Sequence, residues 1–317
     1  MKKILVTATN YSKYCTQGKQ LLLDYGCEII ENPHEYTYPR EELKELVKEV
    51  QGVVAGIDIW DDEIFKLAPG LQAIARFGVG IDNIDLKKAK EYGIVVSNAP
   101  GINTSAVAEL ALGLILALTR RIPDLNGAVR RGEWTRPMTH ELKSRTVGFL
   151  GFGAIACDLA GKLKPFGVRM IAYDKFPDHQ KAELAGVKLV SREEVLRESD
   201  IISIHMPATE ETRGFINEAT IKEMKEGVYL VNTARGSIVD EKALYQGLKS
   251  GRIAGYGTDV YESNPVAPNN PLFEFPQYIA TPYTAAETYE NYAATAIAAS
   301  QALIAVFNGK EPKNKLV

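Results

Sequence analysis

Short apolar runs rich in β-branched residues recur along the chain and alternate with segments of helical periodicity. In the first hundred residues these runs are KILVTA (3–8), GVVAG (52–56), LQAIARFG (71–78) and GIVVSN (93–98). Strands that are apolar on both faces are typical of buried parallel sheets, in which helices connect the strands. The pattern therefore predicts a first region built from βαβ units.

A second series of apolar runs begins at residue 145. Its members are RTVGFLGFG (145–153), GVRMIAYD (167–174), DIISIHMP (200–207), GVYLVNTARG (227–236), RIAGYGTDVY (252–261) and YIATP (278–282). The same alternation of strand and helix predicts a second α/β half. We also expect an alanine-rich helix at roughly 284–307, which follows the last strand and packs back on the first half.

The segment between the two series, residues 103–131, reads NTSAVAELALGLILALTRRIPDLNGAVRR. It has helical periodicity but is apolar on too many faces for an ordinary surface helix. We therefore predict that this long helical stretch spans a domain junction or a subunit interface.

Composition narrows the class of protein. A chain of 317 residues with 45% hydrophobic content suits a globular protein of two domains. A net charge of −3 and scattered lysines and arginines leave no large positive field, so we expect no nucleic-acid partner.

The apolar run near the N-terminus ends at Thr7, and the run is too short for a signal peptide or a membrane span. Cys15, Cys27 and Cys157 match no metal or redox spacing, so we predict no metal site and a cytoplasmic location.

One strand-turn-helix-strand unit carries a glycine-rich turn. In VGFLGFGAIACDLAGKLKPFGVRMIAYD an apolar strand leads into Gly151 and Gly153, a helix follows, and the next strand ends at Asp174. Gly151 permits a tight turn, Gly153 lets the backbone approach a pyrophosphate, and Ala156 lets the helix pack closely on the strand. The unit predicts a dinucleotide site, although a glycine turn in an α/β protein that binds no nucleotide is the alternative.

The nucleotide expected here is NAD. The N-terminus of the helix, at Ala154 and Ile155, supplies the positive end of a helix dipole for the pyrophosphate. A carboxylate at Asp174 would accept both hydroxyls of the adenosine ribose and repel a 2′-phosphate, which favours NAD over NADP. Lys175, the next residue, would weaken that preference.

At these residues the chain resembles the D-2-hydroxyacid dehydrogenase family. The resemblance covers nearly the whole chain and rests on four stretches, ARFGVGIDNID (75–85), SNAPGINTSAVAELALGLILAL (97–118), HMPATEETRGFIN (205–217) and LVNTARGSIVDEKALYQGLKSGRIAGYGTDVYE (230–262). It implies an α/β fold of two doubly wound parallel-sheet domains. Residues 1–99 and 286–317 would form a substrate-binding domain, and residues 100–285 a Rossmann NAD-binding domain inserted into it. The resemblance also implies a homodimer formed through the long helix near 103–131.

The resemblance assigns a substrate grip to two places. Arg235 in NTARG follows an apolar strand, where a guanidinium can hold the carboxylate and the carbonyl oxygen of a 2-oxo acid. Gly78, Val79 and Gly80 resemble the loop whose backbone N–H groups hold the other side of that carboxylate. An arginine after a strand is otherwise a solvated charge, and the glycine stretch is otherwise a plain turn.

Further positions match residues that line the cofactor in relatives. They are Thr104, His205, Met206, Pro207, Thr212, Thr233 and Ala234. Asp259 resembles the acid that contacts the nicotinamide carboxamide, but a buried aspartate that stabilises a turn would look the same. His205 is not assigned a catalytic role, because a lone histidine is more often structural.

The chain departs from the family at the catalytic pair. Members carry a glutamate in a Glu-Pro pair and a histidine in a Thr-Pro-His triplet; here Asn264 and Tyr283 stand at those positions. The family's histidine donates a proton to the new alkoxide, and the glutamate orients it. A phenol stays protonated at neutral pH without such a partner, so the two substitutions are consistent with each other. Arg235, Tyr283 and Asn264 are the predicted catalytic residues, with Glu262 and Glu287 as alternatives.

Three functions stay open from the sequence. The first is an active NAD-dependent dehydrogenase of 2-oxo or 2-hydroxy acids, with Tyr283 as the proton donor. The second is a dinucleotide-responsive binding or scaffold protein without turnover. The third is hydride abstraction from a small anion that needs no acid-base partner, which no residue positively supports. A separate alternative concerns Tyr283 alone, which would be an aromatic plug over the nicotinamide pocket, with His205, Glu287 or bound water as the acid. The substrate's side chain and the direction of the reaction are open too.

Overall fold

A computed structural model describes residues 1–34, 36–263 and 265–317. The strands are β1 (Lys2–Val6), β2 (Cys27–Glu31), β3 (Gly52–Ala55), β4 (Ala73–Arg76), β5 (Val95–Ser97), β6 (Thr146–Leu150), β7 (Arg169–Tyr173), β8 (Lys188–Leu189), β9 (Ile201–Ile204), β10 (Val228–Asn232), β11 (Ile253–Thr258) and β12 (Tyr278–Ala280). The helices are α1 (Tyr11–Tyr14), α2 (Thr16–Asp24), α3 (Arg40–Leu46), α4 (Asp62–Leu67), α5 (Leu86–Glu91), α6 (Thr104–Thr119), α7 (Ile122–Arg130), α8 (Ala154–Leu163), α9 (His179–Ala185), α10 (Arg192–Glu198), α11 (Glu218–Glu223), α12 (Glu241–Ser250) and α13 (Tyr289–Phe307).

The chain forms two compact units. Unit 1 comprises Met1–Asn103 and Ala286–Val317, and unit 2 comprises Thr104–Ala285. Each unit contains one sheet whose named strands are all parallel. The predicted α/β fold class with two parallel sheets is therefore confirmed. In the part of the chain that the structure describes, no helix combines the length and apolar character needed to cross a bilayer.

The sheet of unit 1 has the order β2-β1-β3-β4-β5 and is buried on both faces. On one face Leu5, Val53 and Ile74 belong to a core with α3, α4 and α5, and on the other face Ile4 belongs to a core with α2 and α13. Beside β5, the backbone nitrogen of Leu316 donates to the carbonyl oxygen of Val96 at 2.7 Å. The C-terminal residues therefore pair with the β5 edge.

The sheet of unit 2 has the order β12-β11-β10-β9-β6-β7-β8. The chain runs outward from β6 through β7 to β8, then returns to the other side of β6 for β9 and the later strands. Strand order therefore reverses between β6 and β9, and open α/β sheets bind ligands at such a switch point. Helices α6 and α8 cover one face, and α10, α11 and α12 cover the other.

The structure divides the predicted long helical stretch into α6 and α7. Arg121 has a left-handed conformation, with φ of 54°, and Pro123 lies in the first turn of α7. Proline cannot donate to the carbonyl four residues earlier, and its ring clashes with that group in a continuous helix. The carbonyl oxygen of Thr119 instead accepts a hydrogen bond from the backbone nitrogen of His140 at 3.1 Å.

Three other elements differ from the sequence-based expectation. Strands β2 and β8, at the edges of their sheets, lie outside the predicted apolar runs. The C-terminal helix begins at Tyr289, where the side chain of Thr288 accepts from the backbone nitrogen of Asn291. Residues 284–288, which the pattern assigned to that helix, are turns and irregular structure.

Candidate active site

The carboxyl end of each parallel strand in unit 2 lies at the same edge of the sheet. Six of the seven strand ends lead into sequence-predicted site residues, five of them directly and β12 three residues before Tyr283. The predicted residues that follow these strands directly are Gly151, Asp174, His205, Thr233 and Asp259. The structure thus places residues spread over more than a hundred positions of sequence at one edge.

The end of β6 lies against the end of β9. Gly151 has φ of 89°, and a Cβ atom on it would lie 2.8 Å from the carbonyl carbon and oxygen of His205. The backbone nitrogen of His205 donates to the carbonyl oxygen of Leu150 at 2.7 Å. Both the positive φ and the close backbone therefore require glycine at position 151.

The N-terminus of α8 is open toward the solvent side of this edge. Gly153 is its N-cap and offers no side-chain cap, and a Cβ atom on Gly153 would meet no protein atom within 4 Å. Ala154 is exposed and Ile155 is half-buried, whereas Ala156 is fully buried against the sheet. The first N–H groups of a helix lack partners within the helix, so this end suits the pyrophosphate of a dinucleotide.

Asp174 contacts the glycine turn directly. Its Oδ2 accepts a hydrogen bond from the backbone nitrogen of Phe152 at 2.7 Å, and its Oδ1 accepts from that of Phe176 at 2.8 Å. Lys175 forms an ion pair with Glu211, in which Nζ lies 2.5 Å from Oε2. The lysine charge that would attract a 2′-phosphate is therefore compensated by a carboxylate.

His205 is a neutral side chain in this site. Its Nε2 lies 2.8 Å from the hydroxyl of Ser203, and its ring centroid lies 6.2 Å from that of Phe149. The residue keeps some solvent exposure, but burial of the ring lowers the pKa of His205 to about 4. An imidazole with that pKa is neutral at pH 7, so it lacks the imidazolium proton that a histidine general acid delivers.

The loop after His205 is closed by a threonine. The hydroxyl of Thr212 donates to the carbonyl oxygen of Pro207 at 2.7 Å and accepts from the backbone nitrogen of Thr209 at 2.8 Å. Met206 is buried in the core of unit 2. Thr212 and Met206 therefore have structural contacts in addition to the cofactor role predicted for them.

The turn after β10 is held by the buried amide of Asn232. Its Oδ1 accepts from the backbone nitrogen of Ala234, and its Nδ2 donates to the carbonyl oxygen of Arg235, both at 3.0 Å. The hydroxyl of Thr233 is buried and has no hydrogen-bond partner among the described residues. A buried hydroxyl without a partner at a strand end fits a polar group of a bound dinucleotide.

Arg235 is half-buried, and its Nη1 donates to the carbonyl oxygen of Ala234 at 2.7 Å. The next residue is Gly236, where a Cβ atom would lie 2.0 Å from the carbonyl carbon of Tyr261. The turn that carries Arg235 therefore touches the backbone that follows β11. Gly236 lies within the quoted NTARG motif, but its role in this contact depends on a residue distant in sequence.

Tyr283 follows β12 and is 39% exposed. It has φ of 58°, in the left-handed region that side chains rarely adopt. The buried carboxylate of Asp259 accepts hydrogen bonds from residues on both sides of it, Thr281, Thr284 and Ala285. This geometry favours the turn-stabilising alternative for Asp259.

Loop 78–80 in unit 1 follows β4 and presents backbone amides. Gly78 has φ of 140°. The three carbonyl oxygens of the loop are bound internally, by the backbone nitrogen of Ala99, Nδ2 of Asn98 and Nε of Arg76, each at 2.9 Å. The N–H groups of Val79 and Gly80 have no acceptor within the described part of the chain. Such amides suit an anion such as a carboxylate.

The remaining predicted residues divide into three cases. Asn264 lies outside the described residues. Thr104 begins α6 and is half-buried. Of the two alternative acids, Glu262 is exposed with Oε1 4.0 Å from Nη1 of Arg213, and Glu287 in unit 1 accepts from the hydroxyl of Tyr292 at 2.6 Å.

Comparison with known proteins agrees with this architecture. The family model of the D-isomer specific 2-hydroxyacid dehydrogenase NAD binding domain matches residues 112–285. A D-3-phosphoglycerate dehydrogenase of Archaeoglobus fulgidus is 43% identical over 254 residues, which are 79% of this chain and 48% of that protein. The chain thus spans about half the length of that relative.

Two further proteins match over most of their length. A glyoxylate reductase of Korarchaeum cryptofilum is 39% identical over 277 residues, covering 85% of this chain and 83% of that protein. The apo structure of D-lactate dehydrogenase from Escherichia coli superposes with a TM-score of 0.88 at 29% identity, over the whole of both chains. The likeness therefore extends over both units of the chain.

Proposed function

The chain belongs to the D-isomer specific 2-hydroxyacid dehydrogenase family, and we propose that it transfers a hydride between nicotinamide and a small 2-hydroxy or 2-oxo carboxylic acid. The predicted family, the oxidoreductase class and the NAD cofactor are confirmed by the matches. The proposal for this chain rests on one observation. A single sheet edge carries both the glycine turn that suits a dinucleotide and the arginine that suits a carboxylate.

We propose that unit 2 binds NAD and that unit 1 contributes to substrate binding. In unit 2, the N-terminus of α8 would hold the pyrophosphate, and Asp174 the adenosine ribose. The hydroxyl of Thr233 offers a polar contact at the end of β10. When bound, NAD(H) supplies or accepts the hydride, and the protein positions it and excludes water.

Arg235 is the proposed carboxylate ligand. A guanidinium forms paired hydrogen bonds with a carboxylate and keeps its charge at every working pH. Its position after β10, held by Asn232, gives it a defined direction from a rigid strand end. The N–H groups of Val79 and Gly80 in unit 1, which have no acceptor among the described residues, suit the same chemical group.

Tyr283 is the proposed proton donor in the reduction of a 2-oxo acid. Tyr283 follows β12, whose carboxyl end lies at the same sheet edge, and its 39% exposure leaves the side chain open to a substrate oxygen. His205 is a poor acid here because of its low pKa, and Glu287 lies in unit 1 and is bonded to Tyr292. A phenol is a donor, and it can give its proton to the alkoxide oxygen that hydride transfer creates.

The test is reduction of a panel of 2-oxo acids, followed by NADH absorbance, in the parent and two variants. We expect turnover by the parent and a loss of about 10²-fold or more in Tyr283→Phe with NADH affinity intact. Arg235→Lys should lose a similar factor, because a point charge does not reproduce the guanidinium fork. NADH binding without turnover of any 2-oxo acid would instead support the scaffold function.

We also propose a homodimer formed around α6 and α7. Four large apolar side chains on α7 and the segment after it are exposed: Ile122 at 53%, Val129 at 59%, Trp134 at 83% and Met138 at 94%. Clusters of exposed apolar residues on one segment mark contact surfaces. A second copy of this chain is the proposed partner.

A cytoplasmic location is proposed from the cysteines. Cys15 and Cys27 are buried and Cys157 is half-buried, and all three are free thiols. Free thiols persist in reducing compartments. Alkylation of protein from intact cells without reductant, read by mass spectrometry, should modify Cys157; a Cys157 oxidised in cells would contradict the proposal.

A further inference from the structure

The turn that carries Tyr283 has an unusual backbone. Tyr283 adopts φ of 58°, and its backbone nitrogen donates to the carbonyl oxygen of Thr281 at 3.0 Å. A residue with a large side chain stays in the left-handed region only where surrounding contacts impose it. The residues after β11 supply those contacts.

Asp259 joins the two sides of the turn. The residue is 2% exposed. Its Oδ1 accepts from the hydroxyl of Thr281 at 2.7 Å and the backbone nitrogen of Thr284 at 2.8 Å, and its Oδ2 accepts from the backbone nitrogen of Ala285 at 2.8 Å. A carboxylate is an acceptor with two oxygens, so it can serve all these donors together.

Tyr261 holds the same turn from a second side. Its hydroxyl donates to the carbonyl oxygen of Thr281 at 2.8 Å, and the ring is 9% exposed. Burial raises the pKa of Tyr261 to about 12, so the phenol remains a donor throughout the working range. The carbonyl of Thr281 therefore accepts from both Tyr261 and Tyr283.

We propose that Asp259 and Tyr261 are positioning residues that hold the Tyr283 phenol in the direction needed for proton transfer. The inference rests on the proposed function of Tyr283. A proton donor must lie within about 3 Å of its acceptor, and a displacement of about 1 Å costs on the order of 10²-fold in rate. A phenol on an exposed turn meets that requirement only if the turn is rigid.

The first experiment uses Tyr261→Phe, which keeps the ring and removes only the hydroxyl. We expect kcat for 2-oxo acid reduction to fall about 10-fold, with KM for NADH nearly unchanged. The matched control is Tyr245→Phe in α12, because the hydroxyl of Tyr245 donates to Glu274 at 2.7 Å and not to a residue of the turn. That control should change kcat less than about 2-fold.

Two further changes act on Asp259. In Asp259→Asn an NH2 group replaces one of the two acceptor oxygens, so at least one donor of the turn loses its hydrogen bond. We expect kcat to fall by about 10²-fold. Asp240→Asn is its control, because Asp240 also accepts from backbone nitrogens, those of Lys242 and Ala243. If Asp259→Asn does not fold, Thr281→Val tests the same hydrogen bond more mildly, and Thr281→Ser, which keeps the hydroxyl, should recover most of the lost rate.

Repeating the changes in a Tyr283→Phe background separates positioning from general stability. If Asp259 and Tyr261 act through the phenol, their variants cost little more once the hydroxyl of Tyr283 is absent. Two results would overturn the inference if Tyr283→Phe strongly lowers kcat of the parent. One is full additivity of the losses in kcat, and the other is an unchanged kcat in both Tyr261→Phe and Thr281→Val. An unimpaired Tyr283→Phe would instead refute the proposed donor itself, and the inference with it.

Discussion

The carboxylate of Asp174 accepts a hydrogen bond from the backbone nitrogen of Phe152, with 2.7 Å between Oδ2 and N. The acid after β7 thus fixes the glycine turn after β6, to which the pyrophosphate is proposed to bind. Each carboxylate oxygen has a second lone pair, so the same group can still accept a ribose hydroxyl. One side chain therefore shapes the turn and selects the nucleotide.

Replacing Asp174 should change nucleotide preference in two separable ways. Asp174→Asn removes the charge that repels a 2′-phosphate, so we expect NADPH affinity to rise about 10-fold relative to NADH. Asp174→Asn keeps one acceptor oxygen, for either Phe152 or Phe176, whereas Asp174→Ala keeps none. NADH affinity itself should therefore fall about 10-fold in Asp174→Ala. Fluorescence titration of both nucleotides measures this. Asp178→Asn, a charge loss in the same loop, should shift the ratio less than about 2-fold.

Glu211 should limit the contribution of Lys175 to NADPH binding. Nζ of Lys175 lies 2.5 Å from Oε2 of Glu211, and both side chains are exposed. Because an exposed ion pair is weak, Glu211→Gln should raise NADPH affinity only about 3-fold and leave NADH affinity unchanged. The gain should vanish in Lys175→Gln/Glu211→Gln, and a gain that survives there would show that Lys175 is not responsible.

Gly236→Ala should displace the turn that carries Arg235. The added Cβ atom would lie 2.0 Å from the carbonyl carbon of Tyr261 and 2.3 Å from its oxygen, so backbone must move. We expect kcat/KM for a 2-oxo acid to fall about 10²-fold or more. Gly161→Ala is the control, because a Cβ atom there meets nothing within 4 Å. Equal activity of the two variants would mean that the Arg235 turn tolerates displacement.

His205 should make stability fall at acid pH. Its pKa is about 4 in the folded chain and 6.5 as a reference for the unfolded chain. Above about pH 6.5 both states are neutral and the effect is absent; below it the unfolded state binds a proton that the folded state refuses. Stability is therefore lost as pH falls from about 6.5 to 4, by up to about 3 kcal/mol.

Thermal unfolding of the parent and His205→Gln between pH 7.5 and 4 checks the prediction about His205. The parent should lose more of its midpoint temperature than the variant over that range. Carboxylates titrate in both proteins, so only the difference between the curves reports His205. Parallel curves would contradict the low pKa.

Charge on the exposed apolar segment should separate the proposed homodimer. Trp134→Glu combined with Met138→Glu places two carboxylates where an apolar contact surface is proposed, and unpaired buried charges are costly. Light scattering after size exclusion should report twice the chain mass for the parent and a single chain mass for the variant. Leu184→Glu, on another exposed apolar residue, should leave the mass unchanged. A parent of single chain mass would rule out the homodimer.

Much of the fold and of the site followed from short stretches of sequence. The apolar runs predicted ten of the strands, because burial on both faces of a parallel sheet selects apolar residues at each position. The nucleotide-binding roles of Gly151, Gly153 and Asp174 could be predicted because their turn, helix and strand lie within about thirty residues. The role of Arg235 could be predicted from its place after an apolar strand together with the family resemblance.

The edge strands and the helix break were decided by tertiary contacts. Strand β2, CEIIE, is half polar because only one side of it pairs with the sheet, and its pairing with β1 depends on the rest of unit 1. The break between α6 and α7 leaves the carbonyl of Thr119 without its helical partner, and His140 supplies the hydrogen bond. Local patterns do not specify such partners.

The contacts around Tyr283 depend most on tertiary structure. Sequence alone determined that a tyrosine stands where the family has a histidine. It left two alternative roles for Asp259, contact with the nicotinamide carboxamide or stabilisation of a turn. Only the fold brings Asp259 and Tyr261 to Thr281, about twenty residues away, and so decides which groups hold the turn. The physical reason is that hydrogen bonds between strand ends depend on strand order, and strand order is set by burial of the whole sheet rather than by any one segment.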